Sequence, residues 1–153
     1  MPAASLDTPI GRITVVERDG CLASLSWRGP AQADRTPLVD EAIGQLRAYF
    51  AGRRRDFDLL LAPAATPEAQ AARDAMIAVP WGTTASYGEL AAKTGSSPRA
   101  FGQACGSNPL PIIVPCHRVI GAAGGLTGYG GGLDRKRQLL ALERVRESAT
   151  LFD

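Results

Sequence analysis

The sequence predicts an α+β protein in two parts, a small strand-and-helix module over residues 1–65 and a mainly helical module over 66–153. Three observations predict it. Asp19-Gly20 separates two β-rich runs; Thr66-Pro67, Ser86 to Glu89 and Ser97-Pro98 mark successive helix starts; and Ala62-Pro63-Ala64-Ala65 lies as a linker where the texture changes. At 153 residues the chain holds one domain of ordinary size or two small ones sharing an interface.

Residues 10–17 and 21–27 carry the β-branched and aromatic residues of strands, and Asp-Gly between them is a strong hairpin turn. Leu22, Leu25 and Trp27 do not alternate cleanly, which leaves room for a bulge. Over 38–51, Leu38, Ala42, Ile43, Leu46 and Phe50 recur on one helical face, with Gly52 as the stop. Phe57 to Leu61 reads as a further strand, and Cys21 as a core residue.

In the second part, Thr66 is an N-cap with proline at the first helical position, predicting a helix to about Val79, before Pro80-Trp81-Gly82. Ser86-Tyr87-Gly88-Glu89 has the form of a capping box, and its helix ends at Gly95. Ser97-Pro98 opens the next, so residues 86–106 form a helix-turn-helix candidate. That second helix places small residues at 100, 102, 104 and 106, although a mid-helix glycine such as Gly102 costs about 1 kcal/mol relative to alanine. Either close helix packing or approach to an external nucleic-acid backbone accounts for them. Arg99 stands at the start of this helix. After the turn-forming Ser107 to Pro111 comes apolar Ile112-Ile113-Val114, then a glycine-rich stretch, 121–132, that reads as a ligand-covering loop. Asp134 is expected to cap a final helix, with Leu139, Leu140 and Leu142 inward and Glu143 among them.

With 45% hydrophobic and 21% charged residues, the composition is that of a globular protein rather than a disordered chain. The net charge of +2 neither demands nor excludes nucleic acid, and the basic excess falls on the C-terminal side. No secretory signal and no run of about 20 apolar residues is visible, so neither export nor a membrane span is expected. Three cysteines without C-x-x-C pairing argue against a disulfide framework, and a free Cys116 suits a reducing cytosol, so a cytoplasmic location is expected. Cys21, Cys105, Cys116 and His117 lack ligand-like spacing, so no metal is expected.

The chemistry concentrates at Pro115-Cys116-His117-Arg118. His117 is the only histidine, so any imidazole proton chemistry must use it. The adjacent thiol is the best neutral-pH nucleophile among side chains. Adjacent side chains diverge on helix and strand alike, which argues against direct Cys116–His117 contact and for a relay through one water. Glu143, a carboxylate inside an apolar stripe, is the candidate acceptor for the other ring nitrogen; an exposed helix glutamate is the plain alternative. A cysteine of pKa ~8.5 is only a few per cent thiolate at pH 7. Lowering it to ~7 gains roughly tenfold, so positioning of the electrophile must supply most of the catalysis.

Asn108-Pro109, Pro115 to Ile120, Gly128-Tyr129-Gly130-Gly131-Gly132 and Leu139 to Glu143 resemble the active-site series of the methylated-DNA–protein-cysteine methyltransferases, the O6-alkylguanine-DNA alkyltransferases. Val79 to Gly82, Ser86 to Ala91 and Arg99 to Gly102 continue the match upstream. Pro9-Ile10-Gly11 and Trp27 agree more loosely with the family's small ribonuclease-H-like α/β domain.

The resemblance implies that a winged-helix-like second domain carries both DNA binding and catalysis. The helix-turn-helix would enter the minor groove through Ala100 and Gly102, with Arg99 replacing an everted nucleotide. The damaged guanine would occupy a pocket of Tyr87, Pro111, Val119, Tyr129, Gly130 and Gly131. Carbonyls of Cys116 and Val119 would accept its amino group, and Tyr87 would protonate ring N3. Cys116, activated through water by His117 and Glu143, would take the alkyl group irreversibly while Asn108 braces the preceding turn. The partner implied is double-stranded DNA containing alkylated guanine, met by a monomer with no membrane, metal or organic cofactor involved.

The chain departs from the pattern in three places. Gly95 to Arg99 is about two residues shorter than in many members, position 130 is glycine where some have serine, and Cys105 lies in the recognition helix. Arg118 fits either a structural ion pair or a phosphate contact. Other readings are a non-catalytic lesion-binding relative, which would lack the thiol; a cysteine hydrolase, which needs direct Cys116–His117 contact; and a transcription regulator, which would carry an additional sensor module.

Overall fold

The computed structural model describes residues 2–27, 34–121 and 132–143. The backbone forms two compact units divided between Pro63 and Ala64.

The first unit is an antiparallel meander of β1 (Ala3–Thr8), β2 (Gly11–Arg18) and β3 (Cys21–Ser26), packed against helix α1 (Pro37–Phe50). Asp19 and Gly20 both have positive φ, 55° and 78°, the backbone sense of the two-residue hairpin turn whose twist matches the flanking strands. The expected bulge is present: Val16 pairs with Ser24 and Glu17 with Leu22, leaving Ala23 as the extra residue. Thr36 caps α1 by accepting the Val39 N–H at 3.2 Å, and its hydroxyl donates to the Glu17 carboxylate of β2.

Three expectations need correction here. The buried face of α1 is Val39, Ala42, Ile43, Leu46 and Tyr49, while Leu38 and Phe50 are half-buried. Ala42, Ile43 and Leu46 are buried as expected, and only the two ends of the stripe move inward by one residue, from Leu38 to Val39 and from Phe50 to Tyr49. Phe57 to Leu61 is not a strand. It touches β3 only where Leu22 bridges Leu61, because a single residue exchanges both bonds with the Leu60 carbonyl and the Ala62 N–H. Cys21, at the first position of β3, is half-exposed rather than core.

The second unit consists of α2 (Pro67–Ile77), the two-residue strand β4 (Ala85–Ser86), α3 (Tyr87–Thr94), α4 (Pro98–Gly106), a 3₁₀ turn (Cys116–Arg118), β5 (Val119–Ile120) and α5 (Leu133–Leu142). The helix starts follow their local chemistry. Thr66 and Ser97 cap α2 and α4 ahead of proline, and Ser86 and Glu89 form the reciprocal capping box of α3. Gly95 ends α3 at φ 70°, a conformation that costs glycine little. Leu90 of α3 and Phe101 of α4 are both buried, and the Cys105 thiol lies 3.7 Å from the Met76 sulfur on α2.

At α5 the capping residue is Gly132, and Asp134 lies inside the first turn with no capping bond. Leu139 and Leu140 are buried and Leu142 half-buried, and the third inward position is Lys136. Among the described residues no helix is long and apolar enough to cross a membrane, and no cluster of potential metal ligands occurs.

Candidate active site

The nucleophile candidate sits on a turn built by its neighbours. Asn108 Nδ2 donates to the Val114 carbonyl at 3.0 Å and its Oδ1 accepts the Leu110 N–H at 3.0 Å, closing the 108–114 segment. Inside it, Ile112 adopts φ 75°, rare for a β-branched residue and a sign that the surrounding bonds over-determine the loop. The chain then enters the 3₁₀ turn, whose last bond runs from the Val119 N–H to the Cys116 carbonyl.

Cys116 is 5% exposed, and His117 and Glu143 are fully buried. His117 Nε2 lies 2.7 Å from Glu143 Oε2. Arg118, 4% exposed, donates through Nε to Glu143 Oε1 at 2.8 Å, through Nη2 to Oε2 at 3.0 Å and through Nη1 to the Val79 carbonyl at 2.7 Å. Of the two readings left open for Arg118, the structure therefore shows the ion pair. Adjacent in sequence, His117 and Arg118 converge on one carboxylate at the end of α5.

The electrostatics follow from burial and these contacts. Burial alone would raise the Glu143 carboxyl, but hydrogen bonds from His117 and Arg118, with the Arg118 charge, hold it low, at about 2. Burial lowers the His117 pKa, with the cations Arg118 and Lys136 acting in the same sense against Glu143. Burial also raises the Cys116 thiol above its ordinary value; a hydrogen bond from the Asn108 side chain, the Lys136 charge and a backbone bond oppose this without reversing it. The resting sulfur is therefore a thiol beside a neutral imidazole.

A short parallel ladder joins this turn to the helix-turn-helix. Ala85 pairs with Val119 and Ser86 with Ile120, so β5 leaves the Cys116 turn beside the strand that enters α3. Tyr87 is the first residue of α3, half-buried. A Cβ placed on Gly102 of α4 would meet its ring at 3.9 Å, ordinary contact, so Tyr87 alone does not require glycine there. Arg99 and Ala100 are exposed on the first turn of α4. Pro111 and Val119 are buried beside the turn. Tyr129, Gly130 and Gly131 lie outside the described residues.

Lys136 is the residue that sequence reasoning missed. It is fully buried, its Nζ donates to the Val119 carbonyl at 2.7 Å, and it stands 5.8 Å from the centre of the Tyr87 ring. Burial lowers its pKa to about 8, with Cys116 and Cys105 pulling the other way. Its spacing of three and four residues from Leu139 and Leu140 was the available signal: that position faces inward on the same stripe.

Two family models match the chain: "6-O-methylguanine DNA methyltransferase, ribonuclease-like domain" over residues 1–63, and "6-O-methylguanine DNA methyltransferase, DNA binding domain" over residues 67–145. The methylated-DNA–protein-cysteine methyltransferase of Mycobacterium tuberculosis is 45% identical over 160 residues, with 97% of each chain covered. The constitutive methylated-DNA–protein-cysteine methyltransferase of Bacillus subtilis is 39% identical over 153 residues, covering 91% of this chain and 93% of that one. The crystal structure of Mycobacterium tuberculosis OGT in complex with DNA superposes with a TM-score of 0.82 at 43% identity, all of both chains covered.

Proposed function

The chain belongs to the 6-O-methylguanine DNA methyltransferase family, and from that premise we propose that it repairs DNA by direct reversal, moving the alkyl group of O6-alkylguanine irreversibly onto Cys116. One observation carries the reading: a buried Cys116 beside a buried His117–Glu143 pair, on a turn laddered to the start of a helix-turn-helix.

Arg99 and Ala100 on α4 and the half-buried Gly102 are suited to the minor groove, where a small-residue surface lets backbone approach backbone. Arg99 fills the space of the everted nucleotide, offsetting part of the few kcal/mol that flipping costs. The base enters beside Tyr87, Pro111 and Val119. The Cys116 and Val119 carbonyls each already accept one protein donor, the Val119 N–H and the Lys136 Nζ respectively. A carbonyl oxygen has two lone pairs, so both retain one for the guanine amino group.

The proton balance closes. The thiol proton passes through a water to His117 Nδ1, a buried atom with no hydrogen-bond partner among the described residues. The sulfur attacks the alkyl carbon, the S–C bond forms, and the C–O6 bond breaks with its electron pair moving into the guanine ring. Tyr87 gives that ring a proton at N3 and regains one as His117 releases its own. The product is guanine in DNA and an S-alkylcysteine. The thioether has no proton to return and makes a poor leaving group, so each molecule reacts once.

The thiol argues against the non-catalytic lesion-binding alternative. We place the work in the cytoplasm and in a monomer, in keeping with the three free cysteines. The test is incubation with a duplex bearing one O6-methylguanine, followed by peptide mass analysis. One methyl group is expected on the Cys116 peptide and none with Cys116→Ser. An unmodified wild-type peptide under excess lesion would end the proposal.

A further inference from the structure

We infer that Arg118 is a positioning residue for the transfer: by sharing Glu143 with His117 it holds the imidazole neutral, with its proton on Nε2 and an open lone pair on Nδ1. The inference rests on the proposed role of His117 as the base for Cys116.

Consider what each atom can do. An ionised carboxylate only accepts, so the 2.7 Å contact at Glu143 Oε2 requires the proton on His117 Nε2. A neutral ring then carries its lone pair on Nδ1. That tautomer is the one able to receive a proton from the sulfur side; an imidazolium could not.

A carboxylate and an imidazole buried together without a third group favour the ion pair, since an opposite charge at this distance promotes the protonated ring. Burial already opposes this, and a second opposition comes from Arg118. Its two nitrogens on Glu143, at 2.8 and 3.0 Å, spend the single negative charge before His117 can use it, and Nη2 lies on the same oxygen that His117 contacts. Protonating the ring would then place a second positive charge in a dry site. The charged and titratable groups around the ring all bear on this: Cys116 and Arg118 from its own turn, Lys136 and Glu143 from α5 and its end, and Tyr87 from α3 beyond Lys136. Of these, only Glu143 favours the imidazolium at neutral pH.

Two effects follow for the reaction. His117 stays available as an acceptor across neutral pH. Cys116, whose thiol burial already holds above its ordinary value, also meets no preformed imidazolium that would stabilise a thiolate. For a protein consumed by one reaction, a quiet resting sulfur prevents loss to stray electrophiles.

A chain with one histidine allows a direct test on the DNA-free, full-length protein. Two-bond ¹H–¹⁵N NMR of the sole imidazole reads tautomer and charge, and mass analysis reads iodoacetamide capture at Cys116. In wild type the ring is expected neutral at neutral pH, with hydrogen on Nε2. In Arg118→Gln it should titrate about one pH unit higher or more, and Cys116 capture at neutral pH should rise about tenfold. Arg118→Lys retains the charge and should retain the wild-type titration. An imidazolium or an Nδ1–H ring in wild type at neutral pH overturns the inference. So does an unchanged titration in a folded Arg118→Gln, or a shift in Arg118→Lys as large as in the glutamine variant. Should Arg118→Gln fail to fold by circular dichroism, the wild-type tautomer and the lysine variant decide. Failure of methyl transfer from O6-methylguanine would strike the parent reading alone, since no DNA enters these measurements.

Discussion

Asn108 donates its side-chain amide to the Val114 carbonyl at 3.0 Å, across a turn in which Ile112 is held at φ 75°. The same side chain accepts the Leu110 N–H, so one residue fixes both limbs of the loop that delivers Cys116. Asn108→Ala should cost about 1–3 kcal/mol of stability by leaving those backbone groups unpaired. It should also slow transfer more than tenfold, because a displaced sulfur loses its alignment with the alkyl carbon. Denaturant titration and single-turnover kinetics measure the two effects. A variant as stable and fast as wild type would show that Asn108 does not brace the turn.

Glu143→Gln is expected to be more damaging. It leaves the Arg118 guanidinium buried beside a neutral amide, a loss of about 3–5 kcal/mol for a broken buried pair. The sign of the pH effect follows from Glu143 lying at about 2 against an ordinary 4.5. Its stabilisation is complete above about 4.5 and disappears as pH falls towards about 2. The glutamine variant should lack that component of acid sensitivity, which urea unfolding at several pH values will show.

Lys136→Met should separate stability from reactivity. The native ammonium is held at about 8 against an ordinary 10.5, so the folded protein bears the cost of burying it below pH 8 and is relieved of it by 10.5. The methionine variant should therefore gain most relative to wild type below pH 8, with the difference shrinking as pH rises. Its Cys116 should meanwhile be captured more slowly by iodoacetamide at neutral pH, having lost the charge that favours thiolate. A stability difference that grows above pH 8 would contradict this.

Arg99→Ala tests base eversion. Arg99 is exposed in the first turn of α4, and its loss should slow repair of duplex DNA while leaving transfer from free O6-methylguanine nearly intact. Equal slowing on both substrates would assign it another role.

Cys21 and Cys105 should differ in their reaction with maleimide in the native protein. Cys21 is half-exposed and should label first. Cys105, buried and pushed up to about 12, should not react at neutral pH until the protein unfolds. Labelling of Cys105 ahead of Cys21 would show that α4 opens readily.

Much of this architecture was legible where local chemistry decides it. Thr66-Pro67, Ser97-Pro98 and the Ser86–Glu89 box each set a helix start through bonds made within four residues. Asp19-Gly20 set the hairpin through its own backbone preference. Elements decided by distant partners were not legible. Ala3–Thr8 contains little that favours a strand and becomes β1 through its register on β2, whereas Phe57 to Leu61 is apolar enough but finds only Leu22. In the site, Cys116, His117 and Glu143 stood out as scarce or misplaced residue types. The two carboxylate contacts of Arg118 and the burial of Lys136 did not, because each depends on where α5 comes to rest against the 3₁₀ turn.

The pairing of Ser86 with Ile120 has a mechanical consequence. Two residues on each side make a short rivet between the strand that enters α3 and the strand that leaves the Cys116 turn. On the proposed reading, a tug on α3 from a bound duplex reaches Cys116 through β5, so gripping the lesion and aiming the nucleophile would be one movement.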